Sequence, residues 1–144
     1  LKRDPKESQQ EFVDRITHIF LTKRGFRIMD PFPKKKKTAF ERFGRIQHTD
    51  LQENYLSTIP GNNHFIDLQT LNLDHHRIIG ISGLENCTRL KRLFLNKNNI
   101  QMVSGLHNCY ELTELYLNDQ NFQDSAQGIG MLFDRDSMIG VSDS

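Results

Sequence analysis

A period of 22 residues constrains this chain more than any other feature of its sequence. Apolar residues recur at fixed spacing in three segments: Leu68, Leu71, Leu73 and Ile78; Leu90, Leu93, Leu95 and Ile100; Leu112, Leu115, Leu117 and Phe122. Such self-similarity indicates stacked repeats, because one unit cannot bury its own apolar face and needs neighbours on both sides.

The pattern extends in weaker form on both sides of these segments. Residues 46–67 carry an irregular copy, with Ile46, Leu51 and Leu56 at template positions, whereas Asp134 stands where the template requires a leucine. We therefore predict about four repeats over residues 46–133, the first and last degenerate. Residues 134–144 are expected to form a flexible acidic end.

Leucines separated by a single residue predict short strands with one buried face. A polar residue follows each strand, where an inward side chain can satisfy exposed backbone groups. This structural ladder is predicted at Asn54, His76, Asn98 and Gln120. Cys87 and Cys109 share one repeat position and are predicted to face the core as small apolar residues.

A Gly-Leu pair completes each unit, at Gly83 and Leu84 and again at Gly105 and Leu106, three residues before each cysteine. Together with the leucine template, these residues resemble the leucine-rich repeat family, in its 22-residue variant typified by the nuclear regulatory subunit of protein phosphatase 1. Spliceosomal, ciliary and axonemal proteins share this variant. The resemblance implies an α/β fold: a curved leucine-rich repeat solenoid with parallel strands on its concave face.

The first 45 residues have a different composition from the rest. They hold two of the 16 leucines but six of the 10 phenylalanines. Apolar residues at helical spacing predict an amphipathic helix over residues 8–24, which begins at a capping box of Ser8 and Glu11 and ends at Gly25. We expect residues 1–45 to be a basic helical cap on the first repeat, or a segment that docks a partner.

Charge also divides the chain. Residues 1–50 hold 13 Lys and Arg against seven Asp and Glu, whereas residues 51–144 hold six against 11. The run of Lys34, Lys35, Lys36 and Lys37 is a candidate nucleic-acid or nuclear-import contact, with a solvated loop as the alternative. The acidic repeats argue against nucleic acid as the main partner.

Two aromatic residues, Phe94 and Tyr116, lie between paired leucines and are expected to face outward on adjacent strands, about 5 Å apart. Exposed adjacent aromatics with polar neighbours suit a protein-binding hot spot. The alternative is that the two rings merely stack on each other or are covered by another part of a longer chain. The predicted partner-binding residues are Phe94, Tyr116, Asn72, Arg92, Glu114, Asn96 and Asn118.

The sequence lacks the spacings of common catalytic sites and of histidine or cysteine metal sites. We expect no enzymatic activity, metal, cofactor, small-molecule substrate or membrane association. Two cysteines favour a reducing, intracellular location, whether cytoplasmic, cytoskeletal, ciliary or nuclear. A chain that begins at Leu1 is expected to be part of a longer protein.

These features predict a non-catalytic scaffold that binds a protein partner through the concave face of its repeats. Two alternatives remain open. One is a ribonucleoprotein-associated module whose basic amino-terminal segment contacts RNA. The other is the targeting arm of a larger enzyme.

Overall fold

The structure is a computed structural model that describes residues 2–27, 45–59, 65–121 and 132–133. Within these ranges lie one short helix and seven strands: α1 (Gln9–Asp14), β1 (His18–Phe20), β2 (His48–Asp50), β3 (Thr70–Asn72), β4 (Arg92–Phe94), β5 (Met102–Val103), β6 (Glu114–Tyr116) and β7 (Leu132–Phe133). Five strands form a parallel sheet in the order β1, β2, β3, β4, β6, and β5 pairs with β7 in a second sheet.

Strand pairing follows the 22-residue period of the sequence. Thr49 pairs with Leu71, Leu71 with Leu93, and Leu93 with Leu115. Residues at one repeat position therefore stand side by side across β2, β3, β4 and β6. The parallel sheet predicted from the sequence is confirmed.

One cluster of buried apolar residues packs against one face of the five-stranded sheet. It contains the inward strand residues Leu71 and Leu93, the following leucines, and Cys87 and Cys109, whose predicted core position is confirmed. Each fully buried leucine contributes about 1.5–3 kcal/mol through removal of apolar surface from water. Ile19 and Leu115, on the two edge strands, are only partly buried.

The helix predicted over residues 8–24 is wrong beyond its first turns. The capping box of Ser8 and Glu11 is confirmed, but the helix ends at Asp14 and buries no residue. Residues 18–20 instead form β1, which pairs in parallel with β2. The sheet thus begins before the boundary that we expected between residues 45 and 46.

Backbone hydrogen bonds to β2 explain why a strand replaces the predicted helix. The Leu21 amide donates to the Asp50 carbonyl at 2.8 Å, and the His48 amide donates to the Thr17 carbonyl at 3.0 Å. β-Branched residues such as Ile16, Thr17 and Ile19 also favour strands over helices. Long-range pairing therefore overrides the local helical spacing.

A residue with left-handed backbone conformation lies three positions after the end of each strand of the large sheet. We call the segment that begins with one of these strands and continues towards the next strand a unit. These residues have φ between 54° and 60° and none is glycine: Lys23, Glu53, His75, Lys97 and Asp119. Glycine is needed at residue 105, because a Cβ there would lie 2.5 Å from the Ile81 carbonyl oxygen.

Two further predictions, on Lys34 to Lys37 and on the end at 134–144, lie outside the described residues.

Candidate binding face

The face of the large sheet that points away from the apolar cluster carries three rows of side chains, and we call it the open face. The strand register aligns each row across β1, β2, β3, β4 and β6. The first row contains His18, His48, Thr70, Arg92 and Glu114, and the middle row contains Phe20, Asp50, Asn72, Phe94 and Tyr116. Backbone hydrogen bonds extend the register to a last row of Thr22, Gln52, Asp74, Asn96 and Asn118.

Phe94 and Tyr116 form a stacked pair on this face. Their ring centroids are 4.6 Å apart and the ring planes differ by 2°. The Tyr116 hydroxyl donates a hydrogen bond to the Glu114 carboxylate at 2.9 Å, and this bond raises the pKa of Tyr116. The pair is held in one orientation while 36% of Tyr116 stays exposed. Mutual stacking and partner binding, the two alternatives from the sequence, are compatible in this geometry.

Arg92 and Glu114 occupy neighbouring positions of the first row but form no ion pair among the described residues. Arg92 instead donates from Nε and Nη2 to the Thr70 hydroxyl, at 3.2 and 3.1 Å. Both charges are exposed and are therefore available to an incoming group.

Two asparagines of the predicted partner-binding set accept hydrogen bonds from backbone amides through their side chains. The Asn72 side-chain oxygen accepts from the Asp74 amide at 3.0 Å, and the Asn96 side-chain oxygen accepts from the Asn118 amide at 2.8 Å. The Asn96 amide group in turn donates to Asp74 at 3.2 Å. These bonds fix the side chains of Asn72 and Asn96 and order the edge of the open face.

Sequence reasoning missed the contribution of β1 to this face. His18 stacks on His48 with ring centroids 4.4 Å apart, and Phe20 is 68% exposed. Burial lowers the pKa of His48, and nearby His18 and Arg92 add to this effect. A signal was present: Ile16, Ile19, Leu21 and Phe26 match the template, but 30 residues before the next copy instead of 22.

The ladder residues make one kind of bridge between neighbouring units. In each bridge, the side chain accepts from a backbone amide of the preceding unit and donates to a carbonyl at the end of a strand. Asn98 accepts from the Ile78 amide at 3.0 Å and donates to the Leu73 carbonyl at 2.8 Å. The other bridges have acceptor distances of 2.8–3.1 Å and are made by Asn54, His76 and Gln120.

His76 is buried, whereas its neighbour His75 is exposed, so the two rings point in opposite directions. His76 Nδ1 lies 3.1 Å from the Leu56 amide, and Nε2 lies 2.8 Å from the Leu51 carbonyl oxygen. Since the amide can only donate and the carbonyl can only accept, the proton is on Nε2. Burial lowers the pKa of His76 and favours this neutral ring.

Reactive and metal-binding groups are weakly represented in the described part of the chain. Burial raises the pKa of Cys87 to about 12 and that of Cys109 to about 11, so both thiols stay protonated at neutral pH. Within the described ranges, no three His, Cys, Asp or Glu residues are grouped closely enough to hold a metal ion. No helix among them is long and apolar enough to cross a membrane.

An open cleft of about 1030 Å³ lies beside α1, away from the open face. Five cationic and four acidic side chains line it, and Arg15 pairs with Glu7 at 2.6 Å. Charges of both signs in similar number give this cleft little preference for an ionic ligand. The open face is therefore the stronger candidate site.

No protein-family model matches the chain. No curated protein matches it either.

Proposed function

We propose that this chain is a leucine-rich repeat solenoid of the 22-residue variant and that its concave face binds a protein partner. The open face would be that concave surface, and α1 would cap the edge next to β1. The in-register stacking of equivalent residues and the repeated bridges of the ladder residues support this assignment.

The observation that carries the functional proposal is the Phe94–Tyr116 stack. Aromatic side chains held rigidly at a surface lose little conformational entropy on binding, and they dominate many protein interfaces. Arg92 and Glu114 beside the stack lack ion-pair partners in the described structure and can set the register of an incoming chain. We propose a non-catalytic, intracellular scaffold that acts within a larger protein or assembly.

The test is the double substitution Phe94→Ala with Tyr116→Ala. Proteins captured from a cell lysate by the original chain and by the variant are quantified side by side by mass spectrometry. We expect specific partners to be lost from the variant, since truncation of hot-spot aromatics typically costs about 2 kcal/mol or more of binding energy.

Tyr110→Ala is the matched control, because Tyr110 is 68% exposed but lies outside the open face. Circular dichroism and thermal melting of all three proteins exclude loss of fold as the cause. Equal capture by the double variant and the control would show that the open face is not the binding surface.

The described residues provide no observation that favours RNA binding through Lys34 to Lys37 or a role as the arm of an enzyme. Protein binding at the open face is therefore the single function that we propose.

A further inference from the structure

We infer that the open face binds a basic peptide segment in which a lysine or arginine lies between two apolar anchors. This inference rests on the proposed function and specifies the chemistry of the partner. Two observations carry it: the arrangement of aromatic side chains in the middle row, and the acidic side chains between them.

Aromatic side chains occupy both ends of the middle row. Phe20 lies on β1, and the Phe94–Tyr116 stack lies on β4 and β6, with Asp50 and Asn72 between them in register. Adjacent strands are about 4.8 Å apart, so three steps separate Phe20 from Phe94 by roughly 14 Å. Phe20 is the most exposed of these rings, at 68%. A bound segment would thus place one apolar side chain at each end of the row.

The middle of the face is acidic and lacks a counter-charge. Asp50 accepts hydrogen bonds from the Gln52 backbone and side-chain amides, at 3.0 and 3.2 Å. Asp74 accepts from the Asn96 backbone amide at 2.7 Å and from its side-chain amide at 3.2 Å. All these donors are neutral, and neither carboxylate has a cationic partner within 4.0 Å in the described part of the chain.

These carboxylates are both fixed and partly shielded from water. Asp50 and Asp74 are half-buried, and hydrogen bonds to neutral groups hold their side chains in place. Because the carboxylates are already ordered, binding of a cation to them costs little conformational entropy. The lower local dielectric constant also strengthens the attraction between the cation and the carboxylates. Arg92, the one cation on the central strands of the face, is in the first row, whereas Asp74 is in the last row. The basic residue of the partner is therefore expected to lie over Asp50, on the side of the face nearer to Asp74 and away from the first row.

The spacing of anchors on the partner follows from these distances. In an extended peptide, residues i and i+4 are about 13 Å apart on one face, with residue i+2 between them over Asp50. In a helix the same span corresponds to about nine residues. The expected motif is apolar, basic and apolar in that order, with a net positive charge.

A random library of 16-residue peptides displayed on phage, selected on the immobilised chain, tests this inference. We expect enriched sequences to carry Lys or Arg between apolar residues. Their affinity should fall at least about tenfold for the Asp50→Asn, Asp74→Asn double variant. This variant removes both negative charges, while the one amide oxygen at each position can still accept from the backbone amide of Gln52 or Asn96. Phe20→Ser should weaken binding as well.

Glu85→Gln is the matched control, since it removes an exposed negative charge outside the three rows. Enrichment of acidic or uncharged peptides, unchanged affinity for the aspartate variant, or no enrichment at all would overturn the inference. Peptides that require Phe94 and Tyr116 but not the aspartates would leave the proposed function standing and reject its acidic specificity. Peptides that require none of these side chains would reject both.

Discussion

At the scale of single residues, His76 makes its bridge only while its ring is neutral. Nδ1 must accept from the Leu56 amide, and a proton on that nitrogen would face another N–H group. Asparagine at the same position in other units makes an equivalent bridge without a titrating group. The substitution of imidazole for amide therefore adds pH dependence to a structural contact.

This chemistry predicts that stability falls as the solution becomes acidic. Burial lowers the pKa of His76 in the folded chain below its ordinary value of 6.5. The unfolded chain then binds a proton at higher pH than the folded chain does, so the free energy of unfolding decreases as pH falls below 6.5. The decrease has a slope of at most about 1.4 kcal/mol per pH unit and stops below the lowered pKa.

Urea unfolding between pH 7.5 and pH 5 measures this effect. His76→Asn should keep the bridge and remove the contribution of the imidazole, so its stability should fall less over the same range. His107→Asn, which removes an exposed histidine, is the control. Identical pH profiles for the original chain and His76→Asn would contradict the prediction.

At the scale of elements, β1 makes the sheet one strand longer than the sequence repeat indicates. Lys23 follows β1 with a φ of 56°, where glycine is more favourable than any side chain with a Cβ. In a helix, the same position would lose about 1 kcal/mol on substitution by glycine. Lys23→Gly therefore distinguishes the strand from the helix predicted over residues 8–24.

We expect Lys23→Gly to leave the free energy of unfolding unchanged or to raise it by up to about 1 kcal/mol, because left-handed strain is removed. Loss of the Lys23–Glu53 ion pair, which is exposed, should have little effect. Gln10→Gly within α1 is the comparison and should be destabilising. Chemical denaturation measures both, and a clear loss of stability for Lys23→Gly would favour the helix.

The elements that could be predicted are those whose residues repeat at one period. Leu71, Leu93 and Leu115 give β3, β4 and β6, and the outward positions of Phe94 and Tyr116 follow from strand alternation. β1 was missed because 30 residues separate it from β2 and because Ile16, Ile19 and Phe20 also fit a helical spacing. The residues with left-handed backbone conformation could not be recognised in the sequence, because none of them is glycine. Their conformation follows from backbone hydrogen bonds to residues distant in the sequence.

At the scale of the whole molecule, units of this sheet pair only with their neighbours in the order of the strands. In such an array, stability is a sum of local and nearest-neighbour contributions, so the ends open more readily than the middle. Four leucine amides at one repeat position report this directly. They donate to the next strand at nearly equal distances of 2.8–2.9 Å: Leu21, Leu51, Leu73 and Leu95.

Amide hydrogen exchange followed by NMR should show slower exchange for Leu51 and Leu73 than for Leu21. The hydrogen bonds are matched in length, so a difference reflects position in the array rather than the local bond. Exchange at Leu21 as slow as at Leu73 would indicate that the sheet opens as one cooperative unit. Exchange at Leu21 as fast as in a free peptide would indicate that β1 is not part of the stable sheet.

The position of Tyr116 gives the open face an optical signal of its own. The chain contains three tyrosines and no tryptophan, so tyrosines provide its near-ultraviolet fluorescence. The other two tyrosines lie outside the open face. The Tyr55 ring contacts the Arg77 guanidinium, and the Tyr110 hydroxyl donates a hydrogen bond to the Asn108 side-chain oxygen. With phenylalanine at these two positions, Tyr116 would be the sole emitter, and occupancy of the face could be followed by light without an attached dye.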